Sequence, residues 1–272
     1  MSGSILNNVS ALNASRQLGI TGQGLNKAIE RLTSGKRINR ASDDAAGLAI
    51  ANRLGADVRV AGQGRRNAND GISYLQVADG VTEEITNLLT RAAELSQQAA
   101  SDTSGADTTS TGKIAINAEY QNIIKTVNDL DAKTNFNGSP VYGGTLTVAV
   151  GDFTPVTLAV GHVDMTSLMG GAPADLLTKA NATTELTKIQ QAITTLSGIR
   201  GGFGATQQQL TSLSNSLGIQ VENFTAAQSQ IADANIADEV VNLNKFQVLN
   251  QSGTSALGQA NQSSQTILKL LQ

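Results

Sequence analysis

The chain has 272 residues, a single histidine and no cysteine. A Ser-His-Asp relay needs a base held between a nucleophile and an orienting carboxylate. His162 is the sole candidate base, and it stands in the irregular, glycine-containing stretch 161–174 with no partner motif around it. A hydrolase using His162 is therefore the weaker reading. A zinc centre needs a cluster of ligands that the local spacing does not supply, and without cysteine there is neither thiol chemistry nor a disulfide. Gly105 to Gly112-Lys113 superficially resembles a phosphate loop, but the interval is wrong and Ile114 replaces the required Ser or Thr. Gly62-Gln63-Gly64 lacks the third glycine and the preceding strand of a dinucleotide site. Asp43-Asp44 and Asp129/Asp131 could offer carboxylates to calcium, yet no EF-hand loop surrounds them, and helix capping or solvation accounts for them. Asn-x-Ser/Thr triplets such as Asn137-Gly138-Ser139 are expected by chance in so Asn-, Ser- and Thr-rich a chain. The expectation is a protein with no catalytic, cofactor-binding or metal residues.

Charge points to partners instead. The formal net charge is −3, but residues 1–70 carry ten Lys/Arg against five Asp/Glu, leaving the remainder at −8. A basic head could touch nucleic acid, but no aromatic side chains interleave with it to stack bases, so no nucleic-acid role is expected. No run of 18 apolar residues exists, so no membrane insertion is expected. The N-terminus lacks the basic and apolar regions of a Sec-type signal, and export would need another route.

The elements that must position these residues are mostly helical. Ile5, Val9 and Leu12, then Leu25, Ile29 and Leu32, fall four and three apart, loosened by Gly19, Gly22 and Gly24. Gly35 is suited to end that helix. Ser42 is placed to cap the next, with Asp43 and Asp44 in its first turn against the positive helix end. The segment from Ala45 to Ser101 stays helical, most clearly at Val81, Ile85, Leu88, Ala92, Leu95 and Ala99. Residues 102–112 form a polar loop, rich enough in Ser and Thr to accept O-linked sugars. A third helix carries Ile116, Tyr120, Ile123, Val127 and Leu130. Asn135–Pro140 breaks it, and two period-two segments around Gly151-Asp152 signal a β-hairpin. Ile189, Leu196, Phe203, Leu210, Leu217, Phe224 and Ile231 then recur every seven residues, with Ile193 and Val221 in the companion position, which argues coiled coil. The last amphipathic stretch, Val240 to Gln272, carries Val240, Leu243, Leu249, Leu257, Ile267, Leu268 and Leu271. The fold class expected is mainly α: a long antiparallel coiled-coil helical bundle with a small β-hairpin region. The N- and C-terminal helices would pair as a separate inner domain.

Four stretches resemble one family. "LNKAIERLTSGKRINRASDDAAGLAIANRL" (25–54), "RNANDGISYLQVADG" (66–80), "NFNG" (135–138) and "VLNQSGTSALGQANQSSQTILKLL" (248–271) are similar to bacterial flagellin, in a short form without large outer domains. The resemblance implies a structural subunit polymerising into the flagellar filament for swimming motility. A hook–filament junction (hook-associated) protein shares the terminal helices and is the nearest rival. It implies a filament inner-core domain from residues 1–36 and 238–272, a spoke at 37–44, and a bundle at 45–237 with its β region near 137–172. The terminal apolar residues named above would drive self-assembly into an open homo-oligomeric helical filament. Lys36, Arg37, Arg40, Asp43 and Asp44 would lie where subunits meet. Type III export, a secreted, extracellular location, a flagellar cap protein, hook-associated proteins and an export chaperone follow from the resemblance. So does recognition by a Toll-like flagellin receptor through Arg91, Leu95 and Glu119.

Overall fold

In the computed structural model the described residues are 8–102, 110–151 and 153–270, with side chains placed as far as residue 263 in the last helix. Six helices and four short strands follow in the order α1 (Val9–Ser34), α2 (Ala45–Ala100), α3 (Thr111–Lys133), β1 (Asn135–Phe136), β2 (Ser139–Pro140), β3 (Gly144–Val148), β4 (Val156–Val160), α4 (Met165–Met169), α5 (Lys179–Ala232) and α6 (Ile236–Leu270). They form two compact units. One comprises residues up to Val58 together with those from Glu222, and the other is Arg59–Val221.

The Arg59–Val221 unit is built on two long seams. On α2 the buried residues Ala61, Gly64, Ala68, Gly71, Leu75, Ala78, Thr82, Ile85, Leu89, Ala92, Ser96 and Ala99 alternate by three and four. That spacing keeps one stripe facing a partner helix over many turns. Leu88, expected in the stripe, is only half-buried, and Leu89 takes the inward place. On α5, Ile189, Leu196, Phe203, Leu210 and Leu217 are buried at every seventh residue as expected, while Phe224 and Ile231 are half-buried. Their companion line is Glu185, Ala192, Ile199, Thr206 and Leu213; Ile193 and Val221 lie only at its margin. Glu185, Ala192 and Thr206 are buried on it, and Ile199 and Leu213 are half-buried.

α3 lays Ile116, Tyr120, Ile123, Ile124 and Val127 on this core. Two antiparallel hairpins follow. β1 and β2 pair around Asn137-Gly138, both with positive φ (50° and 81°), the conformation that a two-residue turn demands. β3 and β4 pair in register from Gly144↔Val160 to Val148↔Val156. The stretch 161–174, expected to be irregular, contains the short helix α4, capped by the Asp164 carboxylate on the Ser167 amide at 2.8 Å. α3 zips this segment down: Asn117, Asn128 and Asp131 accept the backbone N–H groups of Leu176, Met165 and Val163.

α2 runs uninterrupted through Gly62 and Gly64. Gly64 is needed where the loop between β3 and β4 approaches, since a Cβ there would stand 2.7 Å from the Gly151 nitrogen. Gly64→Ala is expected to cost about 1–3 kcal/mol through forced backbone movement, readable as a lowered midpoint in thermal unfolding.

Tyr142 is 2% exposed, and its hydroxyl donates to the Ala78 carbonyl at 2.9 Å while meeting the Thr82 hydroxyl at 3.1 Å. Burial pushes the phenol up to about 12 from its usual 10. The unfolded chain therefore ionises first as pH rises, so this contribution is intact below about pH 10 and is lost between about pH 10 and 12. Alkaline unfolding followed by helix content should show a loss on the order of 2 kcal/mol across that window, which Tyr142→Phe removes.

Candidate functional site

α1 and α6 pair along their lengths. The α1 seam is Ala11, Ala14, Leu18, Thr21, Leu25, Ala28 and Leu32; the α6 seam is Glu239, Leu243, Phe246, Asn250, Gly253, Leu257 and Ala260. Both alternate by three and four. Glycine sets the spacing at two points: the Phe246 ring lies where a Gly24 Cβ would be, and Leu18 lies over Gly253. Asn8 accepts the Ala11 amide as helix cap and donates across to the Ala260 carbonyl at 3.0 Å. Arg31 reaches Glu239 at 3.1 Å.

The seam mixes small and large residues and buries few of them fully. On α1 only Thr21 and Ala28 are fully buried. Of the assembly residues read from the sequence, Leu25, Leu32, Leu243 and Leu257 lie in the seam, half-buried. Val9, Leu12, Ile29, Val240 and Leu249 lie off it, exposed. Ile20, Ile236, Val241 and Val248 join them; sequence reasoning missed these, although the seven-residue step from Val241 to Val248 marks a second face. Ile5 and Leu271 lie outside the described residues, as do the side chains of Ile267 and Leu268. A large set of apolar side chains thus faces outward on a pair of helices with a slender interior of its own. Exposed apolar surface so concentrated marks a place where something else packs.

The charged joint is satisfied within the chain. Gly35, at φ 70°, ends α1 in the left-handed conformation, as expected. Beyond it the chain crosses to the α5–α6 turn: the Arg37 amide donates to the Ala232 carbonyl at 2.7 Å, the Ala234 amide to the Gly35 carbonyl at 2.9 Å, and Lys36 bridges Asp233. The Arg37 guanidinium donates twice to the Ile231 carbonyl, at 2.7 and 3.2 Å, at the negative end of α5. Arg40 pairs with Glu30 at 3.1 Å. The expected cap, Ser42, is displaced. Asp44 directly precedes α2 and accepts the Gly47 amide at 2.8 Å, so neither aspartate sits in the first turn. Asp43 instead folds the turn before it, accepting the Arg40 and Asn39 amides and Lys27. The Arg40 amide foremost, helped by Lys27, holds its carboxyl below the usual range. Aspartate prevails over serine here because two carboxylate oxygens serve the turn and the helix start more strongly than one hydroxyl.

In the Arg59–Val221 unit, Arg91 binds Glu119 at 2.8 Å and Glu94 at 3.0 Å on the surface. Leu95 is 1% exposed, which corrects its place in a recognition patch: it belongs to the core. His162 does have a partner, contrary to its local sequence. Its Nδ1 lies 2.9 Å from Asp131, which also accepts the Val163 amide, and Asp164 brings a third ligand-type atom within 4.8 Å. A separation of 31 residues from Asp131 hid this cluster. Both aspartates already hold backbone N–H groups, so the arrangement acts as a brace between α3 and the exit from β4.

Comparison with known proteins fits this layout. Residues 5–147 match the model for the bacterial flagellin N-terminal helical region, and residues 186–271 match that for the bacterial flagellin C-terminal helical region. The chain is 34% identical to a flagellin of Halalkalibacterium halodurans over 98% of this chain and 99% of that protein. It is 34% identical to flagellin FlaB1 of Treponema pallidum over the same shares, and 31% identical to a Bacillus subtilis flagellin. The crystal structure of Bacillus cereus flagellin is similar with a TM-score of 0.50 and 30% identity, covering 60% of this chain and 94% of that one.

Proposed function

The chain belongs to the bacterial flagellin family, and from that premise we propose that its paired terminal helices are the assembling part of a flagellar filament subunit. The protein is a structural subunit of the filament that drives bacterial swimming, and it works as a homo-oligomer. The observation that carries the mechanism is the outward apolar set on α1 and α6: Val9, Leu12, Ile29, Val240, Val241, Val248 and Leu249. In this reading they bury against neighbouring copies, joined by the exposed parts of the half-buried seam residues Leu25, Leu32, Leu243 and Leu257. A contact made head to tail does not close on itself, so the product is an open helical polymer. Residues 1–36 and 238–272 form the inner-core domain, 37–44 the spoke, and 45–237 the bundle. The spoke charges Lys36, Arg37, Arg40, Asp43 and Asp44 set its geometry. Exposed pairs of this kind contribute only about 0–1 kcal/mol each, so apolar burial drives growth.

The protein reaches the cell exterior by type III export, aided by a chaperone, and adds beneath a cap protein distal to the hook-associated proteins. No helix among the described residues is long and apolar enough to cross a membrane. Electron microscopy of the purified full chain tests the core reading: long filaments are expected, and their failure to form from pure subunit, even on added filament seeds, would contradict it. A Toll-like flagellin receptor reads the Arg91–Glu119 pair. In a receptor reporter assay Arg91→Ala should cut the response about tenfold or more; an unchanged response removes this site.

A further inference from the structure

The ten arginines of this protein are not all paired alike. Arg31, Arg40, Arg91 and Arg200 each pair with a carboxylate of their own chain. Arg59, Arg65 and Arg66 are exposed and have no carboxylate partner among the described residues. Arg66 donates only to Gln63, at 2.6 and 3.0 Å. Arg59 and Arg66, seven residues apart, share a face of α2. Asp70, one turn on, leaves the stretch 59–70 at a net +2. Residues 201–221 of α5 contain no charged side chain; the acids flanking the basic stretch are Asp57 on α2 and Glu222 on α5.

Farther along α2 the sign reverses. Asp79, Glu83 and Glu84 face a single cation, Arg200, which takes Asp79 at 2.7 Å and Glu83 at 3.2 Å. Glu84 is exposed and has no ion pair among the described residues. This patch carries a net −2. Arg66 and Glu84 are separated by about 27 Å of helix, too far to meet within one molecule. Two patches of opposite sign, displaced along one rigid element, are what a head-to-tail contact between identical subunits requires.

We propose that Arg59 and Arg66 of one copy dock against Glu83 and Glu84 of the next, with Arg65 adding to the cationic side. This rests on the filament reading and deepens it: the terminal helices supply the apolar burial, and this contact sets the axial offset and speeds capture. A charge of the wrong sign at such a junction disfavours the mismatched pose, and so specifies the register.

Charge reversal tests it in the full-length chain. R59E/R66E should fold normally, since neither side chain holds another part of the molecule, and circular dichroism checks this. Its critical concentration for seeded growth should rise at least about tenfold. E83R/E84R should be impaired likewise. A chain carrying all four substitutions restores opposite charges at the junction, and should grow within about threefold of the original. R59E/R66E growing like the unaltered chain would overturn the proposal, as would failure of the four-substitution chain to recover. Both leave the filament reading intact, whereas absence of filaments from the unaltered chain would strike that reading itself.

Discussion

Leu12→Asp combined with Val248→Asp is expected to abolish filament growth while leaving the subunit's own unfolding transition unchanged. Both leucine and valine are about two-thirds exposed in the single chain, at 65% and 63%, and neither lies in the α1–α6 seam. Aspartate therefore meets water in the monomer and costs the fold little; surface substitutions away from special features stay within about 0.5 kcal/mol. In the filament each site would trade an apolar burial of about 1.5–3 kcal/mol for a carboxylate taken out of water without a partner. Two such sites are expected to raise the critical concentration by far more than about a hundredfold, beyond practical protein concentrations. Sedimentation of seeded assemblies measures this directly, with calorimetric unfolding of the monomer as the control. Filaments growing at the normal concentration would show that these side chains stay in solvent.

The second large effect belongs to the bundle. Glu185 is fully buried on α5, held by the Tyr120 hydroxyl at 2.9 Å and the Lys188 ammonium at 2.8 Å. A buried carboxylate deprived of its counter-charge is among the most costly single defects, at about 3–5 kcal/mol. Lys188 is 31% exposed, so water partly replaces it, and Lys188→Met is expected to cost about 3 kcal/mol. Adding Glu185→Gln to Lys188→Met should recover most of the loss, because the uncompensated charge is gone while the amide oxygen still accepts from the Tyr120 hydroxyl. Chemical denaturation of the four proteins in this cycle gives the coupling; additive losses would show that the two side chains act independently. Tyr120, 0% exposed, closes the same site from α3, and burial foremost, then the Glu185 charge, raises its phenol pKa. The trio fixes how α3 sits on α5, at a place where an apolar trio would permit sliding.

Much of this architecture was legible from spacing. The every-seventh line from Ile189 to Leu217 reads directly as a buried seam because apolar side chains at that period can do little else. Gly35 announced the end of α1, and alternating residues around Gly151 announced the β3–β4 hairpin. The companion line on α5 was misassigned because its fully buried members, Glu185, Ala192 and Thr206, are small or polar and give no apolar signal at that period. The same cause hid the α1 seam. Ala11, Ala14, Thr21 and Ala28 alternate with Leu18, Leu25 and Leu32 in the seam, so four of its seven members carry little apolar signal, while Val9, Leu12 and Ile29 face out. The His162–Asp131 brace and the Asn117, Asn128 and Asp131 zipper on α3 join groups dozens of residues apart, where local pattern has no reach.

Hydrogen–deuterium exchange of the full-length chain, as monomer and as filament, tests the central claim most directly. The terminal helices have a thin shared seam and an uncovered apolar exterior, so amides of residues 9–34 and 236–263 should exchange rapidly in the monomer. They should slow by orders of magnitude in the filament, far more than those of the buried α2 and α5 seams in the Arg59–Val221 unit. Equal protection of the two ends in both states would contradict the account, because it would mean that copies of the chain supply them with nothing they lack alone.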